Sequence, residues 1–140
     1  MSKTVIFTVP GVPVGKARPR ITRFGAYTPE KTIIAEDSIR REYAAHWDYQ
    51  VFGEKSQLYM VVNAHFPVPQ SASAKTKKHM MCGALRPTKK PDWDNIGKLV
   101  SDALNQVAYY DDKQIVECMV RKFYSDRPRV EIIIDEIMEV

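Results

Sequence analysis

An alternating, β-branched run from Lys3 to Val9 ends at Pro10-Gly11 and predicts an opening strand. The stretch that follows, punctuated by Gly11, Pro13, Gly15, Pro19 and Gly25, predicts a long loop. Thr28-Pro29 reads as an N-cap followed by proline at the first helical position, opening a helix to about Trp47 with Ala35, Ile39 and Tyr43 turned inward. Leu58, Met60, Val62, Ala64 and Phe66 alternate with Tyr59, Val61, Asn63 and His65, so a second strand is expected up to Pro67. A short helix is expected near Ala72 to Met80. Ile96, Leu99, Val100, Ala103, Leu104 and Val107 follow the i, i+3, i+4, i+7, i+8, i+11 template and predict an amphipathic helix lying on a core. Gln114 to Tyr124 and Arg129 to Ile137 are β-rich runs joined by Ser125-Asp126-Arg127-Pro128, which reads as a hairpin. The order β-α-β-loop-α-β-β predicts an α+β fold, one domain over residues 1–140, with helices packed on a sheet of about four strands.

Composition narrows the class. At 140 residues the chain can bury roughly two-thirds of its unfolded surface, enough for a core without disulfides. Hydrophobic residues at 44% and charged residues at 27% exclude a wholly disordered or low-complexity chain. The longest apolar run, Leu58 to Val62, is far below the roughly 18 residues that cross a bilayer. Met1-Ser2-Lys3-Thr4 shows no apolar signal core, so a cytoplasmic, membrane-free protein is expected. Cys82 and Cys118 are too few and too distant for a disulfide framework or thiolate zinc site, and His46, His65 and His79 lie singly. Zinc is therefore set aside.

The net charge of +4 matters because it is clustered. Lys16, Arg18, Arg20 and Arg23 fall in one acid-free run, and Lys75, Lys77, Lys78, Arg86, Lys89 and Lys90 in another. Two such tracts in a small domain are the composition that tracks a phosphate backbone, and these ten residues are the candidate DNA contacts. The acids gather elsewhere. Asp92-Trp93-Asp94 follows Pro91 in what reads as an extended segment with Asp94 at the N-cap, so both carboxylates would face one cation, and Trp93 would pack. Lys98 and Asp102 follow at one-turn intervals on the polar stripe, and Asp111-Asp112 stands in a turn past the helix end. Taken singly these are caps, turns and surface pairs. Together they surround one helix in an otherwise basic chain, which suits Mg²⁺ held by carboxylates and phosphate oxygens for phosphodiester hydrolysis.

Lys90-Pro91-Asp92-Trp93-Asp94-Asn95-Ile96-Gly97-Lys98, then Asp102-Ala103-Leu104-Asn105 and Tyr110-Asp111-Asp112-Lys113-Gln114-Ile115, resembles the motif of the RusA family of Holliday-junction resolvases. That motif reads basic-x-D-x-D-N-x-x-K-x-x-x-D-A-L, then an aromatic or apolar residue and D-D-x-Q-I/V. The resemblance implies a homodimeric endodeoxyribonuclease of bacterial or prophage origin that acts on branched DNA, uses Mg²⁺ with Mn²⁺ as a substitute, and needs no small-molecule cofactor. Carried over by position, it implies Asp92, Asp94 and Asp112 as catalytic metal ligands, Asp111 as a further candidate ligand, and Lys98 as the catalytic lysine. Two other readings stay open on the residues alone: a metal-dependent nuclease for other branched DNA or RNA, and a non-catalytic DNA-binding module.

Overall fold

Strand alternation decides which side of a sheet is covered, and in this chain one side is. A computed structural model describes residues 3–137; Met1 and Ser2, part of the segment read above as lacking a signal core, lie outside them. The elements in order are β1 (Thr4–Pro10), β2 (Arg20–Thr22), β3 (Gly25–Tyr27), α1 (Glu30–His46), β4 (Gln57–Pro67), α2 (Ala74–Met81), α3 (Trp93–Leu104), one 3₁₀ turn (Asp112–Gln114), β5 (Ile115–Ser125) and β6 (Arg129–Ile137). Helices α1 and α3 pack on each other over the sheet, burying Ile39 and Tyr43 of α1 and Ile96, Leu99, Val100, Ala103 and Leu104 of α3. Beneath them lie the alternate residues Val5 and Phe7 of β1, Ile132 and Ile134 of β6, and Leu58, Met60 and Val62 of β4. The fold is α+β with a four-stranded sheet, as the hydrophobic pattern predicts. Among the described residues no helix is long and apolar enough to cross a membrane.

Four local expectations are corrected. The sheet order is β1-β6-β4-β5, with β5 parallel to β4 and β6 antiparallel to both β1 and β4, so β5 and β6 do not form a hairpin. Asp126, Arg127 and Pro128 instead carry the chain over the end of β4. Burial explains the order: β4 and β6 have no exposed residue between their ends and take the centre, whereas β1, with exposed Ile6 and Thr8, and β5, with exposed Glu117 and Arg121, take the edges. Pro29, not Thr28, occupies the N-cap of α1, with its carbonyl accepting from Thr32 and Ile33 N–H. Helix α3 stops at Leu104, because Asn105 is extended and Gln106 has φ +62°; Val107 lies beyond the helix yet still packs on the core. Finally, the long first loop contains a small hairpin, β2 paired with β3.

Candidate active site

The ladder of α3 begins where the Asp92 carbonyl accepts from the Ile96 N–H at 3.1 Å. Asp92 is thus the N-cap residue, and its side chain makes no capping bond, while Trp93 and Asp94 are already helical. This overturns the extended Asp92-Trp93-Asp94 segment and the cap role of Asp94, and with them the shared face. Asp92 opens onto a cleft lined by Lys16, Arg18, Arg20, Lys90 and Asn95. Asp94 lines a different cleft with Trp93, Lys98, Ser101, Asp112 and Cys118. Trp93, expected to pack, is 62% exposed on the rim of that second cleft.

Asp112 reaches Asp94 and Lys98 through the irregular segment after α3. The Asn105 side-chain oxygen accepts from the Asp112 N–H at 3.1 Å, tying the 3₁₀ turn to the helix end. Asp111 is engaged in that turn, its carboxylate accepting from Lys113 N–H at 2.9 Å while Gln114 accepts from Asp111 N–H at 3.1 Å. Gln114 is anchored in turn, donating to the carbonyls of Gly53 and Ser56. Desolvation raises the pKa of Asp112, and the neighbouring carboxylates of Asp111 and Asp102 push it further, against the lowering effect of Lys98. The acids crowd one another there, and a cation would relieve them.

The floor of the cleft is Met60, Ile115, Cys118 and Val120, on which α3 sits closely through Gly97. A Cβ at Gly97 would lie 3.1 Å from Val120 Cγ2, so a residue that looks like a poor helix former is what lets the helix approach β5. Asn105, Gln114 and Gly97 are positioning residues that periodicity could not single out. Asn105 and Gln114 were visible only inside the quoted motif.

The donor set bears directly on a metal. Among the described residues no three His, Cys, Asp or Glu side chains are grouped to hold an ion, so Asp92, Asp94 and Asp112 do not form a three-ligand cage. Asp94 and Asp112 share a cleft and offer only oxygen. That chemistry fits a hard divalent cation that keeps several waters and draws further ligands from substrate phosphate.

The sequence profile of the family described as Endodeoxyribonuclease RusA matches residues 10–135, a span holding every residue of both clefts. The chain belongs to the RusA family. It is also 40% identical over 139 residues to a Bacillus subtilis (strain 168) protein described as uncharacterized protein YqaN, covering 94% of this chain and 95% of that one. Membership in an endodeoxyribonuclease family gives the acid-lined cleft of this RusA chain a hydrolytic context.

The chain divides its cations into two groups. Arg18, Arg20 and Lys90 are exposed around the Asp92 cleft, Arg23 sits between β2 and β3, Lys75, Lys77 and Lys78 ride on α2, and Lys89 is exposed before α3. Two of the expected DNA contacts are already engaged. Lys16 Nζ lies 2.7 Å from Glu36 and 3.2 Å from Asp102. Desolvation would lower its pKa, but Glu36 and Asp102 outweigh that and raise it, so Lys16 is a half-buried cation held between two carboxylates. Asp102 therefore pairs across to Lys16, while its charge still bears on Asp112. Arg86 donates to the Lys122 carbonyl at 2.7 Å and lies 4.2 Å from the Phe123 ring centroid.

Gly15 docks the first basic segment onto the start of α3. Lys16 N–H donates to the Asn95 carbonyl at 2.8 Å, and a Cβ on Gly15 would fall 2.7 Å from Pro91 Cβ and 3.2 Å from Asn95 Cβ. Neither is the far end of a flexible side chain. Gly15→Val is expected to cost roughly 1–3 kcal/mol of stability through overpacking and to weaken DNA binding by displacing Arg18 and Arg20. Thermal denaturation and binding to a labelled duplex check both halves.

Proposed function

We propose that this chain is a divalent-metal-dependent, structure-selective endodeoxyribonuclease that resolves four-way (Holliday) junctions by hydrolysing one phosphodiester in each of two opposing strands. One observation carries the reading: Asp94, Lys98 and Asp112 line a single cleft, and a basic cleft opens on the other flank of the same helix start. Carboxylates beside a phosphate track repel the substrate unless a cation joins them, so a pure binder gains nothing from this placement. Asp94 and Asp112 are the residues taken to hold Mg²⁺, or Mn²⁺ in its place; Asp92, on the neighbouring cleft with its carboxylate not spent on capping, is taken to complete the ligand set only once ion and substrate phosphate are bound. When bound, such an ion supplies Lewis acidity, polarising phosphoryl oxygen and lowering the pKa of water. Lys98, one turn from Asp94, sets an ammonium against the phosphoryl oxygens as negative charge builds there. Arg18, Arg20, Arg23 and the lysines of α2 hold flanking phosphates and fix the register of the strand.

A four-way junction is approximately two-fold symmetric, so the working unit proposed is a homodimer with one site per protomer, residues 1–140 forming one domain, acting in a bacterial cytoplasm. The test is cleavage of a mobile junction, its linear arm and a flap, each with Mg²⁺, with Mn²⁺ and with EDTA. Symmetric nicks in the junction, abolished by EDTA, are expected. Equal cutting of the flap would place the enzyme among nucleases for other branched DNA, and binding without cleavage in either metal would make it a binding module.

The two groups of cations give a second measurable outcome. Replacing Arg18 and Arg20 together is expected to flatten the log-affinity against log-salt slope by about two, at about 0.9 per phosphate, and to weaken junction and duplex binding alike. Lys16→Gln is expected to leave the slope unchanged, since its ammonium already faces Glu36 and Asp102.

A further inference from the structure

The small hairpin in the first basic segment has no inward face. All six residues of β2 and β3 are exposed, including Ile21 at 86% and Tyr27 at 50%, and Phe24 in the connecting turn is 87% exposed. A two-stranded hairpin is marginal on its own, and large apolar side chains held in water mark a contact surface. The turn is nonetheless built. Thr22 Oγ1 accepts from the Phe24 N–H at 3.2 Å and donates to the Gly25 carbonyl at 3.1 Å, and Gly25 adopts φ +116°, a conformation that favours glycine. The Arg23 guanidinium lies 4.9 Å from the Phe24 ring centroid.

Charge selects the partner. From Gly11 to Pro29 there is no acid, and Arg18, Arg20 and Arg23 flank the apolar residues, so the surface suits a polyanion that also offers flat apolar faces. A nucleic acid does both. In duplex DNA the base faces are stacked away, whereas at a branch point the stack is interrupted and base faces are open. Apolar wedges enter at such steps, and aromatic side chains stack on bases without regard to sequence. The stem of the hairpin also sits beside the chemistry, because Arg18 and Arg20 share their cleft with Asp92 and Lys90.

We infer that the β2–β3 hairpin is a branch-point wedge, with Phe24 stacking on an unstacked base face at the crossover, so that this element selects branched DNA over duplex. The inference rests on the junction reading above and adds the residue that carries the selectivity.

The experiment measures binding of the full chain, in EDTA to prevent cleavage, to a fixed four-way junction and to a duplex of equal length. The junction carries 2-aminopurine at the branch point. Wild type is expected to prefer the junction and to raise the 2-aminopurine emission by unstacking it. Phe24→Ala is expected to lose roughly five- to 150-fold in junction affinity, the range spanned by base–aromatic stacking, with duplex affinity and salt slope unchanged and the emission change abolished. Phe24→Tyr, which keeps a ring, should restore both. Because the Phe24 side chain stands in solvent, the thermal midpoint of each variant should match wild type. A junction preference that survives in Phe24→Ala overturns the wedge alone. A wild-type protein that binds both DNAs equally overturns the wedge together with the junction reading. A change in oligomeric state with DNA binding intact also overturns it and makes the hairpin a protein contact.

Discussion

Asp94→Asn is expected to lower metal-supported junction cleavage by at least about a thousand-fold, since several kcal/mol of Lewis-acid stabilisation go with the ion and each 1.36 kcal/mol is tenfold in rate. Binding should be unchanged or slightly tighter, because a negative charge beside the phosphate is removed. The variant is a clean one. Asp94 is not the cap of α3, so no capping bond is lost, and its place in the first turn is worth only about 0.3–1 kcal/mol against the helix dipole. Asp112→Asn should behave alike, its backbone bond to Asn105 being untouched. Asp111→Asn separates the two neighbours. Asparagine caps about as well as aspartate, so the turn persists, and cleavage should stay near wild type if Asp112 is the ligand. Steady-state cleavage with gel-shift binding on the same junction reads all three, and a near wild-type rate in Asp94→Asn would sink the metal-site reading.

Lys98→Ala should reduce kcat by about a hundred- to a thousand-fold with little change in KM, the signature of an interaction made in the transition state. Lys98 is exposed on α3, and lysine and alanine are both good helix formers, so stability should hold. The alternative is an ordinary phosphate contact. In that case KM would rise, kcat would stay, and the salt slope would fall by about one.

The inner faces of α1, α3 and β4 were legible, because periodicity reports which side of a local element is buried whatever it packs against. Ile96, Leu99, Val100, Ala103 and Leu104 mark the inner face of α3 by their spacing, and all five are buried. Leu58, Met60, Val62, Ala64 and Phe66 do the same for β4. Strand neighbours were not legible. The short Ser125 to Pro128 link reads as a hairpin turn, and only competition among all four strands for the buried centre puts β4 between β5 and β6. Gly97 illustrates the same limit within a helix: its helical propensity is poor, and its purpose is visible only against Val120.

At the candidate site, the sequence by itself determined the inventory: carboxylates around one amphipathic helix, a lysine on its polar face and two acid-free basic tracts. Tertiary structure decided which of them meet. It began α3 at Trp93, turning Asp92 and Asp94 toward different clefts, and it folded Asp112 back to Asp94 and Lys98 through the Asn105 bond. It also engaged Lys16 with Glu36 and Asp102, and lifted Ile21, Phe24 and Tyr27 into solvent on a hairpin hidden within a loop-like stretch. The division follows from range. Backbone periodicity and charge are properties of neighbouring residues, whereas the partner of a carboxylate or an ammonium is fixed by chain segments tens of residues away, whose approach depends on how the whole sheet is ordered.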